Sequence, residues 1–198
     1  PLASAQQVCG LPGSDPASTA TGVVNSYFDG SNQASLGASA TSLTLGAVLS
    51  GSATTTITNG DLLIVMQMQD GAVNGANSAN YGSGTGVGKG TTSIGNAGLY
   101  EFVRATSGGG AGASISFTPA LSYSYSQAAA TATLGQRRYQ VIRVPQYAAV
   151  TLQGVTAPAW NGLAGGVVSV DSSQVLTLGG ATTEGQTNRA VFLGGKGF

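Results

Sequence analysis

The chain has 198 residues, of which seven are Lys or Arg, seven are Asp or Glu and none is His, so its net charge is zero. Only 7% of residues are charged while 41% are hydrophobic; this excludes a highly charged disordered tail and a protein that draws nucleic-acid affinity from clustered basic residues. The longest strongly apolar run, Leu62–Met66, is five residues long, where a membrane-spanning helix takes about 20, so no helical membrane span is expected.

Pro1–Ala5 ends in Ala3-Ser4-Ala5, a small-residue pattern that reads as the remnant of a secretory signal, and residues 6–198 read as one all-β domain. Cys9 is the sole cysteine, which reads as a buried thiol or an intermolecular bridge, with burial favoured because Cys packs as a small hydrophobe. In the segment that follows the signal remnant, Val8, Cys9 and Leu11 are apolar enough to dock, and Gln6 and Gln7 can satisfy polar groups at a rim. These five residues are the candidate assembly site: a short strand added to a neighbouring subunit's sheet, ended by Gly10 and Pro12. The alternative is that the segment packs on its own subunit.

Gly, Ser, Thr and Asn punctuate the rest every eight to twelve residues, with short β-rich runs between them, a spacing that reads as all-β. Strands are predicted at Leu43–Leu49, Leu62–Met68, Leu99–Ala105, Ser114–Phe117, Leu121–Tyr125, Tyr139–Val144, Ala149–Leu152, Val167–Val170, Val175–Leu178 and Val191–Leu193. Leu62–Met66 does not alternate, so it is expected to be a central strand covered on both faces. Leu121, Tyr123 and Tyr125 alternate with Ser and are expected on one face. Only Ser126–Thr133 has helical composition. The expected architecture is a β-sandwich or jelly-roll-like body. The cadence of Gly165–Phe198, apolar alternation closed by Gly-Gly, resembles a short β-solenoid coil, although a plain hairpin explains its first half equally well.

Gly71–Gly98 is a run of 28 residues dominated by Gly, Asn, Ser and Thr. Structureless loops longer than about 15 residues are uncommon inside compact domains, so this one is expected to be held from outside, by a neighbouring subunit.

Catalytic chemistry is hard to place. Without His there is no Ser-His-Asp triad or imidazole metal ligand, and one Cys cannot build a thiolate site. Asp61 and Asp70 flank the same predicted strand and stand about 30 Å apart when it is extended, too far to act as a pair; each reads as a turn residue. Glu101 and Arg104 fall on opposite strand faces. Ser83–Thr91 lacks the Gly and the Ser or Thr that a Walker loop places around its Gly-Lys. Asp29-Gly30-Ser31-Asn32 reads as a turn rather than a calcium site, and Trp160 as structural rather than ligand-stacking. No catalytic, cofactor-binding or metal-binding residue is assigned, and no enzyme is expected.

Several strings taken in order carry a resemblance: NGDLLIVMQMQD (Asn59–Asp70), AGLYEFVRA (Ala97–Ala105), GQRRYQVIRVPQYAAVTL (Gly135–Leu152), TAPAWNGLAGGVVSVDSSQVLTLGG (Thr156–Gly180) and GGKGF (Gly194–Phe198). With the Cys-Gly-Leu-Pro-Gly opening at Cys9, they resemble a conserved module near the N-terminus of large secreted surface proteins of Gram-negative bacteria, gliding and predatory ones above all. Thr182–Arg189 departs from that pattern. The resemblance implies adhesive or matrix roles at the cell surface, with no catalytic residues to carry over.

Together these readings point to a secreted structural subunit whose partner is itself, assembling into a fibre or surface layer. Weakly charged β-rich chains lack the charges that keep sheet edges apart. The alternative is an adhesin-type module recognising glycans or another cell surface.

Overall fold

The structure, a computed structural model, describes residues 8, 10, 11, 13–30, 35–180, 191 and 192. In chain order the strands are β1 (Ser18–Val23), β2 (Ser26–Asp29), β3 (Ser42–Thr44), β4 (Thr56–Ile57), β5 (Leu62–Gln69), β6 (Ala72–Asn74), β7 (Gly90–Ser93) and β8 (Tyr100–Ala105). They continue with β9 (Gly109–Gly110), β10 (Ser114–Thr118), β11 (Arg138–Val144), β12 (Gln146–Tyr147), β13 (Val150–Thr156), β14 (Asp171–Ser172), β15 (Leu176–Leu178) and β16 (Val191–Phe192). The fold is all-β, with no helix among the described residues. Ser126–Thr133 is not helical: Ala128 and Arg137 exchange backbone hydrogen bonds of 2.9 and 3.0 Å across an isolated antiparallel bridge.

The unbroken apolar run makes β5 the centre of the main sheet, whose strand order is β2-β11-β5-β8-β10-β3, antiparallel throughout. Successive side chains of a strand point to opposite faces. Leu63, Val65 and Gln67 therefore point one way and Leu62, Ile64 and Met66 the other, and all but Met66 are buried.

The sheet curls until its two edges meet. Beyond β3 the chain bonds back to β2: Gly46 N donates to Asp29 O (2.9 Å), Asp29 N to Ala47 O (3.0 Å) and Leu49 N to Tyr27 O (2.9 Å). Inside the curl lies a core that includes Phe28, Leu43, Leu45, Leu63, Val65, Val103, Ile115, Phe117, Tyr125, Tyr139 and Val141. Gly46 is where the closure is tightest: a Cβ there would stand 2.0 Å from Asp29 Oδ1 and 2.1 Å from its carbonyl oxygen.

The outer face of β2, β11 and β5 carries the aligned residues Tyr27, Ile142 and Ile64. A covering layer that includes Ala157 and Ala164, with Val8, Val23, Val167 and Val168 partly buried, packs on this face. Much of that layer has no ladder of its own. Val167–Val170 is not a strand; Tyr27 Oη donates to Val167 O (2.6 Å), and Asn25 Nδ2 donates to Ser169 O (2.7 Å) while its Oδ1 accepts from Ser169 N (3.0 Å).

Beside this layer stands the solenoid-like part, a stack of parallel strands. β13 lies at its centre, paired with β1 on one side and with β15 and β16 on the other, and β12 pairs with β14 in the same sense. The stack is not only C-terminal, because β1 joins it from the far end of the sequence. Ala20, Val24, Val150, Leu152 and Val155 form its core.

β5, β8, β10 and β11 fall within two residues of their predicted bounds. Leu121–Tyr125 does not form a strand; Leu121 and Tyr125 point into the core and Tyr123 points out.

Two measurements test this packing. Gly46→Ala is expected to lower stability by about 1–3 kcal/mol through overpacking, whereas Gly37→Ala, which meets nothing within 4 Å, should stay within about 0.5 kcal/mol; urea midpoints at constant slope report both. Burial raises the phenol pKa of Tyr27, Tyr125 and Tyr139, helped at Tyr125 by the Glu101 charge and at Tyr139 by Asp29. A pKa raised in the folded state gives stability that is complete below the unfolded value, near 10, and is lost as pH climbs above it. Base titration should therefore show phenolate absorbance rising together with loss of the β-sheet circular dichroism signal above about pH 10.

Candidate assembly site

Of the predicted assembly residues, Gln6, Gln7 and Cys9 lie outside the described residues, as does the signal remnant Pro1–Ala5. Val8 packs against the apolar cluster on the outer face of the main sheet. Leu11 is half-exposed, with its Cδ1 lying 2.4 Å from where a Cβ on Gly60 would stand. Between them Gly10 sits so close under Gln146 that a Cβ would meet Gln146 Oε1 at 1.6 Å. These contacts are made within the subunit.

An ion cluster then fixes the chain as it enters β1. Arg143 Nε donates to Asp61 Oδ1 at 2.9 Å, and its Nη2 lies 3.2 Å from both carboxylate oxygens of Asp15. Asp15 Oδ2 also accepts from Gln146 N (2.8 Å), and Asp61 Oδ2 accepts from Thr58 N (2.7 Å) and Thr58 Oγ1 (3.1 Å). Burial works against the charged guanidinium, but the hydrogen bond and charge of Asp61, then those of Asp15, outweigh it and raise the Arg143 pKa. Asp61 is thus a turn residue, as its spacing implies, and also half of a buried ion pair that the sequence did not disclose.

The other acidic side chains near strands hold backbone as well. Asp70 Oδ2 accepts from Asn96 N (2.8 Å). Glu101 accepts from Ser122 N (2.7 Å), Tyr123 N (2.9 Å) and Tyr125 Oη (3.1 Å), while Arg104 lies on the opposite face of β8. Among the described residues no three His, Cys, Asp or Glu side chains gather as metal ligands.

The polar run Gly71–Gly98 is held by its own chain. β6 and β7 pair as a hairpin inside it, and Val73 N donates to Thr133 O (3.1 Å) and Gly135 N to Gly71 O (2.9 Å). At the tip Ser78 Oγ donates to Val87 O, Gly88 N to Asn74 Oδ1 (2.9 Å) and Gly82 N to Lys89 O (3.1 Å). Asn and Ser side chains satisfy nearby backbone in turns, which is how a segment with so few apolar residues finds partners within its own chain. Tyr81, Val87 and Ile94 remain exposed on it.

Two further apolar surfaces are exposed among the described residues. On β8, Tyr100 and Phe102 are exposed and meet edge to face, with ring centroids 5.9 Å apart; Arg104 follows them on the same strand face. The second surface is the last rung of the parallel stack. Val150 and Leu152 are buried inside the stack, and the residues aligned with them on β15, Leu176 and Leu178, are 43% and 69% exposed. These leucines lie in line with buried positions of β13, and no further strand among the described residues covers them.

Compared with models of known protein families, with curated proteins and with solved structures, the chain matches none.

Breaking the ion cluster measures how firmly it holds β1 to the sheet. Arg143→Met leaves the Asp61 carboxylate buried and unpaired and is expected to cost about 3–5 kcal/mol. Adding Asp61→Asn should return part of that loss, a coupling that a double-mutant cycle of urea unfolding reads directly.

Proposed function

We propose that the chain is an extracellular structural subunit that assembles with copies of itself into a fibre or surface layer by β-strand addition. The observation that carries this reading is the open rung at β15. From Ser172 to Gly180 there is no charged residue and no Pro, the usual devices that keep a sheet edge from pairing, and Leu176 and Leu178 are exposed where Val150 and Leu152 are buried. The low charge of the whole chain supports the same reading, since little repulsion opposes close packing of copies. Its placement outside the cell draws on the resemblance to secreted surface proteins and on the Ala3-Ser4-Ala5 pattern.

Negative-stain microscopy and sedimentation of the purified chain test the proposal. Filaments or sheets are the expected result, and monodisperse particles at high concentration overturn it.

The exposed Tyr100–Phe102 pair favours a second reading, a module binding cell-surface glycans, because aromatic faces beside a polar group suit the apolar face and hydroxyls of a sugar. That reading expects monodisperse particles that bind a glycan array and lose the binding in Tyr100→Ala.

A further inference from the structure

Among the described residues the parallel stack is open at both ends, and the two ends match. β1 has one ladder neighbour there, β13, and β15 likewise pairs with β13 alone. Three columns run through the stack in register: Ser18–Val150–Leu176, Thr19–Thr151–Thr177 and Ala20–Leu152–Leu178. Val150, Ala20 and Leu152 are buried, so the first and third columns lie on the sheet face that carries the core, and the threonines lie on the other.

The backbone alternation fits the same repeat. Ser18 N donates to Ala149 O (3.2 Å), so Ser18 and Ala20 direct their amide groups at β13, and Ala17 and Thr19 direct theirs away from it. On β15, Val175 O accepts from Val150 N (2.9 Å) and Gly179 N donates to Leu152 O (2.9 Å). Residues 175, 177 and 179 thus bond to β13, and Leu176 and Leu178 turn their amide groups outward. Each free edge presents the half of a parallel ladder that the other lacks.

We infer that the joint between subunits is β15 of one copy against β1 of the next, parallel, with Leu176 opposite Ser18, Thr177 opposite Thr19 and Leu178 opposite Ala20. This rests on the self-assembly reading and names its partner surface. In that register the Leu176 and Leu178 N–H groups donate to the carbonyls of Ala17 and Thr19, both leucines are covered, and the threonine column continues from copy to copy. A second β15 is a poorer occupant, because two-fold pairing of identical edges runs antiparallel and breaks every column. The paired segments Pro16–Phe28 and Ser172–Gly180 contain no Asp, Glu, Lys or Arg, so the ladder itself carries no like charges; Asp15, which lies beyond its start, is already paired with Arg143. A head-to-tail contact of unlike edges repeated along a stacking axis advances with every copy instead of closing into a ring, so it generates a filament. Three strands at about 4.8 Å set one subunit per roughly 14 Å of stack, and strand twist turns each copy relative to the last.

Disulfide trapping in a Cys9→Ser background tests the joint. Thr19→Cys and Thr177→Cys would lie about 4.8 Å apart across the contact, within the range a disulfide spans. Mixing the two single variants under mild oxidation should give a linked pair, and the double variant a multi-subunit ladder, while neither single variant links to itself. In the otherwise unaltered chain, Leu178→Lys should abolish filaments with the circular dichroism spectrum unchanged. Filaments that persist in Leu178→Lys, or in which Thr177→Cys or Thr19→Cys links only to itself, overturn this joint and leave self-assembly standing. An unaltered chain that forms neither filaments nor sheets overturns both.

Discussion

Buried carboxamides hold this fold together where neither hydrophobic periodicity nor ladders can. Gln67 is fully buried, and its Nε2 donates to Gln69 O, Ser126 O and Arg138 O at 2.9–3.1 Å while its Oε1 accepts from Ser126 N at 2.7 Å. Gln140 grips Gly165 in the same two-sided way, donating to its carbonyl (3.0 Å) and accepting from its N–H (2.8 Å). Asn25 does so at Ser169. An amide side chain carries the same donor and acceptor as a peptide unit, so each of these residues acts as one rung of sheet for a segment that is not a strand. Removing one partner would strand buried polar groups at about 1–3 kcal/mol each, and the covering layer over Tyr27, Ile64 and Ile142 has few ladder bonds to fall back on.

How far the sequence discloses this arrangement depends on where the hydrophobic signal sits. β5, β8, β10 and β11 are legible because each is either continuously apolar or alternating. β1 (STATGV) and β2 (SYFD) are not. β1 is made of small and polar residues and is ordered by stacking on a strand 132 positions later (Ser18 beside Val150). β2 is buried on both faces despite its Ser and Asp. The carboxamides left one faint trace: Gln67 and Gln140 interrupt runs that otherwise read as core strand. The strand at Val175–Leu178 was visible within a residue, but which of its edges lies free is a property of three-dimensional order that local pattern does not encode.

The polar hairpin around β6 and β7 makes a related point about economy. Its order comes from Asn, Ser and Thr side chains closing turns on nearby backbone, with glycines at positive φ at Gly82, Gly84, Gly86, Gly88 and Gly90 where an L side chain would be strained. A composition that looks like a flexible linker is in this chain the turn chemistry of a defined element.

The pairing of β1 with β13 also bears on when the molecule becomes competent. A chain made from its N-terminus carries β1 for well over a hundred residues before its partner strand exists, and such long-range parallel contacts form slowly. Until then the two faces that β1 later presents, one to its own subunit and one outward, are equally without order. The rung at the opposite end is still further along the chain and needs β13 as its template. Both outer edges of the stack therefore depend on β13, and neither β1 nor β15 has a template until that strand is in place.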